Sequence, residues 1–133
     1  MAAGIRFICS QCRFTVEAWD EGNPYFLSDK GKPQFFYHPA RERKLEEYIQ
    51  QSAGRYLTGK EREDFIASRT GNMSDLLCLD CGNTFRLDLE KRKRICPRRN
   101  CKSKNVVDPS MMGGKICPRC KMGTFEIGGA LIS

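Results

Sequence analysis

Cys78-Leu79-Asp80-Cys81-Gly82-Asn83-Thr84-Phe85 is the stretch on which the reading of this chain turns. Two thiols three positions apart reach one cation when the backbone between them makes a tight turn. A strand pattern follows at once, with Phe85, Leu87 and Leu89 alternating against Thr84, Arg86 and Asp88. The same device recurs at Cys9-x2-Cys12, Cys96-x4-Cys101 and Cys117-x2-Cys120, which accounts for all eight cysteines. Four pairs make two four-cysteine sites with no ligand missing and none spare.

Redox dithiols are the competing reading. Thioredoxin-like chemistry needs one such motif on a strand–helix unit, and four motifs in so short a chain do not fit that pattern. Four thiolates hold iron as well as zinc, so ligand type alone leaves a rubredoxin-like iron site open beside two Zn²⁺ ions. Which pairs share a metal is open as well. The first and last knuckles look alike, Ile8-Cys9-Ser10-Gln11-Cys12-Arg13 against Ile116-Cys117-Pro118-Arg119-Cys120-Lys121. That likeness favours a nested arrangement, with Cys9, Cys12, Cys117 and Cys120 at one site and Cys78, Cys81, Cys96 and Cys101 at the other. A sequential pairing is the alternative.

The stretches Cys78 to Phe85 and Ile116 to Cys120 resemble the knuckles of the zinc-ribbon superfamily, in which Gly or Pro accompanies the cysteines and a strand follows. The chain is also similar to bacterial proteins that open on a knuckle followed by Trp-Asp-Glu-Gly-Asn-Pro-Tyr, here Trp19 to Tyr25. The resemblance implies small metal-stapled β-hairpins and no particular activity. Two features depart from it: the four residues between Cys96 and Cys101, and the long insertion between Cys12 and Cys78.

The expected fold is therefore α+β, with zinc-ribbon hairpins around two four-cysteine zinc sites and a helical insertion. Its parts are an outer ribbon of residues 1–19 plus 109–133, a hairpin and helical insertion over 20–75, and an inner ribbon over 76–108. Within the insertion, Tyr25-Phe26-Leu27 and Gln34-Phe35-Phe36-Tyr37 flank Asp29-Lys30-Gly31-Lys32 and read as a hairpin with Pro33 at its edge. A helix is predicted from Pro39, with Leu45, Tyr48 and Ile49 on one face and Gly54 at its end. Thr58-x-x-Glu61 has the capping-box pattern for a second helix, which Thr70-Gly71-Asn72 would close. Thr124 to Ile127 reads as a final short strand, and the tail from Gly128 to Ser133 as a cover for the chain's own core or a docking segment.

The 133 residues are 40% hydrophobic and carry a formal charge of +7. Lys91, Arg92, Lys93, Arg94, Arg98, Arg99, Lys102 and Lys104 lie in one stretch without an acidic residue, and removing those eight leaves −1 for the rest. The basic character thus belongs to one segment, fixed in space by a knuckle. Phosphates attract such a cluster, so nucleic acid, RNA or DNA, is the first expected partner. An acidic protein surface is the second, and a merely solvated loop tip the third. Phe85 and Arg86 are candidates for added stacking or charge.

A protein–protein adaptor using the aromatic segment Trp19, Tyr25, Phe26, Phe35, Phe36 and Tyr37, or the tail, is the runner-up function, although a small fold needs those aromatics for its own core. A zinc-dependent redox sensor is the third. His38, the single histidine, reads as a structural or capping residue, and Asp20-Glu21 and Glu63-Asp64 as surface charges. No P-loop, zinc-deaminase pattern or Ser–His–Asp set is present. A four-cysteine zinc has no open position for substrate, so an enzyme is not expected and no small-molecule substrate is evident. No apolar run approaches the roughly 20 residues that cross a bilayer. The start of the chain reads as a strand, not a signal peptide, and a cytoplasmic location with reduced thiols is the expectation.

Overall fold

The computed structural model describes residues 3–37 and 40–132. His38 and Pro39, and with them the expected helix start and capping role, lie outside the described residues. The architecture is α+β, with eight strands and two α-helices among the described residues. The chain divides into two compact units, one of residues 1–22 with 74–133 and one of residues 23–73.

In the first unit, β1 (Ala3–Cys9) lies between β2 (Thr15–Trp19) and β8 (Phe125–Ile132), antiparallel to both. Phe7 faces Val16 on one side and Ile127 on the other, and Cys9 faces Phe125. Directly opposed residues share a sheet face, and on this face Phe7, Cys9, Val16 and Phe125 are buried together with Leu77, Met112 and Cys117. The β1–β8 register slips between Arg6 and Phe7, where Gly128 is the unpaired residue of the bulge. Beyond the bulge β8 continues to Ile132, opposite Ala3. The tail residues Gly129 to Ile132 are thus four further residues of sheet paired with β1, and they do not cover the apolar core.

The same unit holds β6 (Thr84–Leu87) and β7 (Val106–Val107), both paired antiparallel to residues 74–78. Leu76, Cys78, Cys96 and Val106 form a second buried cluster, with Phe85, Leu87 and Leu89 packed against it. The strand after the second knuckle ends at Leu87. Asp88 turns inward instead, 4% exposed, and its carbonyl accepts the N–H groups of Lys91 and Arg92.

In the second unit, β3 (Asn23–Leu27) pairs with β4 (Pro33–Phe35) on one side and with residues 70–73 on the other. Pro33 therefore opens an edge strand, where its missing N–H costs nothing. Strand β5 (Thr70–Cys78) begins where a helix-closing turn was expected. Thr-Gly-Asn-Met-Ser has no alternation to announce a strand, and tertiary pairing with Asn23 to Phe26 decides it. Helix α1 (Arg41–Ala53) ends at Gly54, whose φ of 71° lets its N–H return to the Gln50 and Gln51 carbonyls. Helix α2 (Gly59–Arg69) starts after Thr58, but the Thr58 side chain makes no cap bond, so the capping box is not formed. Glu61 is instead ion-paired with Arg55.

Phe26, Phe36 and Ile49 form this unit's core, with Leu45, Tyr48, Phe65 and Ile66 against it. The Tyr48 ring lies edge-on to Phe26 at 5.2 Å and to Phe36 at 5.4 Å. Fully burying each such aromatic stabilises by roughly 1.5–3 kcal/mol. Within the aromatic segment, Phe26 and Phe36 thus serve this core and Tyr25 is buried, whereas Tyr37 stays exposed. Asn23, 3% exposed, is the polar keystone: its side-chain amide donates to the Met73 carbonyl at 2.9 Å and accepts from the Tyr37 hydroxyl at 2.9 Å.

Candidate metal centres

Each cysteine pair sits on a turn of one design. In the first knuckle the Cys9 carbonyl accepts from Arg13 N at 3.2 Å, and Cys9 N donates to the Phe14 carbonyl at 2.9 Å. The second repeats this with Cys78, Gly82 and Asn83, and the fourth with Cys117, Lys121 and Gly123. The residue after the second cysteine turns left-handed every time, with φ of 67° at Arg13, 75° at Gly82, 54° at Lys102 and 62° at Lys121.

The third knuckle explains its own odd spacing. Its turn is closed by Lys102 N on the Arg98 carbonyl at 3.2 Å, so Arg98 occupies the place a first cysteine has elsewhere. Cys96 lies two residues earlier and reaches the site because Cys96 N pairs with the Ser103 carbonyl at 2.9 Å. The Ser103 hydroxyl also donates to the Asp80 carboxylate, which ties the second knuckle to the third.

The structure brings the eight sulfurs into two groups. Cys9, Cys12, Cys117 and Cys120 form one, and Cys78, Cys81, Cys96 and Cys101 the other, with all sulfurs of a group within 4.8 Å of one another. The first group follows from the β1–β8 pairing, which sets Cys9 opposite Phe125 and so beside the fourth knuckle. Sulfur separations are 3.6 Å for Cys9–Cys120, 3.7 Å for Cys12–Cys117, 3.6 Å for Cys78–Cys101 and 3.7 Å for Cys81–Cys96. A tetrahedron with metal–sulfur bonds of about 2.3 Å has edges of about 3.8 Å. A disulfide would need about 2.0 Å, and all eight cysteines are free. Both groups therefore have the size of a closed four-thiolate metal site.

The surroundings suit thiolates. Cys9, Cys78, Cys96 and Cys117 are fully buried, whereas Cys12 is exposed. Backbone N–H groups point at the sulfurs, Gln11 N at Cys9 Sγ (3.4 Å) and Gly123 N at Cys120 Sγ (3.5 Å). The N–H groups of Gly123 and Met122 outweigh desolvation and hold the Cys120 thiol down at about 6. At Cys81 desolvation is the largest influence, but the Asn83 N–H and the neighbouring thiols overcome it and bring the group to about 7. Their partners move the other way. At Cys12 the Phe14 N–H pulls downward, yet desolvation and the three facing thiols win and push it up to about 11. The same contest at Cys101, against the Ser103 N–H, ends at about 12. Four sulfurs this close cannot all ionise unless a cation joins them. Gly123 shows how tight the first site is: a Cβ there would stand 2.7 Å from Cys9 Sγ.

The basic segment runs from the Asp88 turn to the third knuckle. Lys91, Arg92, Lys93, Arg94, Arg98, Arg99, Lys102 and Lys104 are all exposed. Lys91 lies 3.9 Å from the Asp88 carboxylate, and Lys102 Nζ donates to the Pro97 carbonyl at 3.3 Å. Phe85 packs into the second cluster and Arg86 is ion-paired with Asp75 at 3.0 Å, so neither extends this surface. Sequence reasoning missed Arg119 and Lys121, whose side chains touch the second knuckle from the fourth. Only their positions inside and just after a knuckle hinted at it.

Among the described residues no helix is long and apolar enough to cross a membrane. Comparison of the chain with family models, curated proteins and solved structures found no match.

Proposed function

We propose that this chain is a non-catalytic module that holds two structural Zn²⁺ ions in zinc-ribbon-like knuckles and presents the loop Lys91 to Lys104 to nucleic-acid phosphates. The sulfur spacing carries the first half of this reading. Cys9, Cys12, Cys117 and Cys120 would hold one ion and Cys78, Cys81, Cys96 and Cys101 the other. Such sites supply folding free energy, not reactivity, because four thiolates leave no coordination position for substrate.

The second half rests on the loop itself. Arg92, Lys93, Arg94, Arg98, Arg99 and Lys104 are exposed and make no ion pair among the described residues. Cys96 and Cys101 anchor the loop at the second centre, so the metal would hold its charges in a fixed array. No aromatic residue lies within the loop to stack on a base. This favours contact with phosphates over reading of sequence.

A salt titration of binding to mixed-sequence RNA and DNA tests this. The comparison is with Arg92→Ser/Lys93→Ser/Arg94→Ser, after both proteins are shown to hold two zinc ions. Lys91 is spared because it supports the Asp88 turn. Each phosphate that the variant no longer neutralises should flatten the log–log salt slope by about 0.9 on B-DNA or about 0.7 on a single strand. If wild type shows no binding at low salt, the nucleic-acid half of the reading fails and the loop faces a protein or solvent alone.

A further inference from the structure

Arg119 and Lys121 ligate nothing, yet both reach out of the first centre and into the second. Arg119 stands between Cys117 and Cys120, and its Nε donates to the carbonyl of Gly82, the residue after Cys81, at 3.0 Å. Lys121 directly follows Cys120, and its Nζ donates to the carbonyls of Leu79 and Asp80, between Cys78 and Cys81, at 3.0 and 3.3 Å. The Arg119 guanidinium also lies 3.7 Å over the ring of Phe14, two residues beyond Cys12. Two cationic side chains from one knuckle thus hold three backbone carbonyls of another.

We infer that Arg119 and Lys121 are positioning residues that make metal loading of the two centres interdependent. The inference rests on the metal-site half of the reading above and not on the nucleic-acid half. Lys121 is aimed by the turn its own N–H closes on the Cys117 carbonyl at 3.0 Å, at a left-handed φ of 62°. A cation shared by Cys117 and Cys120 fixes that turn. Without it the knuckle loosens, the clip releases Leu79, Asp80 and Gly82, and the second centre must order its own knuckle unaided. Charge acts in the same sense. A divalent cation with four thiolates leaves each centre dianionic, and two such centres repel. The cationic side chains placed between their knuckles offset that repulsion. By linkage the coupling is reciprocal, so filling either centre favours filling the other.

Cobalt(II) is the probe, because its thiolate charge-transfer and d–d bands report tetrahedral four-sulfur sites directly. Titrating metal-free full chain against a competing chelator should show cooperative uptake, and native mass spectrometry at one equivalent should find clearly less one-metal protein than the roughly one half that independent, equal sites would give. Disabling the first centre with Cys9→Ser/Cys12→Ser should weaken cobalt binding at the second on the order of tenfold, within the usual range of coupling between sites. In an Arg119→Met/Lys121→Met background the same disablement should leave the second centre's affinity unchanged, and the titration of that background itself should lose its cooperativity. Lys121→Arg should restore cooperative uptake, which a generic loss of stability would not allow. One-metal protein at or above that half in wild type overturns the inference, and this measurement needs no variant to fold. Coupling that persists in the Arg119→Met/Lys121→Met protein overturns it too. If wild type gives no four-sulfur cobalt spectrum at all, the metal-site reading itself falls, and the two failures are told apart by the spectrum.

Discussion

Replacing Gly82 by alanine tests the packing between the second and fourth knuckles. Gly82 has a φ of 75°, and a Cβ there would overlap Cγ of Arg119. A left-handed alanine costs about 1–2 kcal/mol, of which about 0.4–1 kcal/mol is offset by a stiffer unfolded chain. The clash adds more, because Arg119 must swing away. It then forfeits its bond to the Gly82 carbonyl, roughly 1.5–3 kcal/mol for a charged donor, and its place over Phe14, about 0.5–1 kcal/mol. Arg119 is solvent-exposed, so the lower ends apply, and the sum is roughly 2–4 kcal/mol.

Gly114 supplies the control. It has nearly the same φ, 76°, and a methyl group added there would meet nothing within 4 Å, so Gly114→Ala measures the backbone cost alone. Urea unfolding of the zinc-loaded proteins, followed by Trp19 fluorescence in β2, gives each cost. In an Arg119→Ala background, Gly82→Ala should fall to the Gly114→Ala level. Equal costs for Gly82→Ala in both backgrounds would refute the argument, as would a Gly82→Ala no worse than Gly114→Ala.

Three further outcomes are expected. Complete removal of zinc by a strong chelator should abolish the near-UV signal of the first unit, since each structural site contributes on the order of 10 kcal/mol, whereas the far-UV helical signal of α1 and α2, whose core contains no cysteine, should persist. Metal affinity at the first centre should fall with pH across the neutral range and more steeply once pH drops below about 6, the value at Cys120. A thiol whose pKa is lowered contributes above that value and is lost below it, while Cys12 and Cys101, raised to about 11 and about 12, each give up a proton on binding at neutral pH, which calorimetry in buffers of different ionisation enthalpy would count. Asn23→Ala should destabilise the second unit by about 1–2 kcal/mol, because it removes two hydrogen bonds of a buried amide, to the Met73 carbonyl and from the exposed Tyr37 hydroxyl; a urea midpoint unchanged from wild type would contradict this.

Local chemistry was legible where it decided the outcome. The apolar spacing of Leu45, Tyr48 and Ile49 marks α1, Gly54 ends it, and the two aromatic runs around Gly31 make a hairpin. These elements need only their own residues and a face to bury. Local signals misled where a partner decided instead. Thr70 to Met73 became strand because Asn23 to Phe26 lies beside them, and Thr58 carries the cap sequence without making the cap.

From its cysteine spacing alone, the sequence determined that thiols come in close pairs on tight turns, because a few residues of backbone govern that geometry. Tertiary structure decided which pairs meet. The sulfurs of Cys9 and Cys120 come within 3.6 Å because β1 and β8 pair across nearly the whole chain. It alone revealed that Arg98 takes a cysteine's place in the third turn and that Arg119 and Lys121 grip a knuckle far back along the chain, near enough to act only once the chain has closed on itself. Spacing along the chain fixes what a turn can do, whereas contacts between distant turns depend on sheet register, which no single segment encodes.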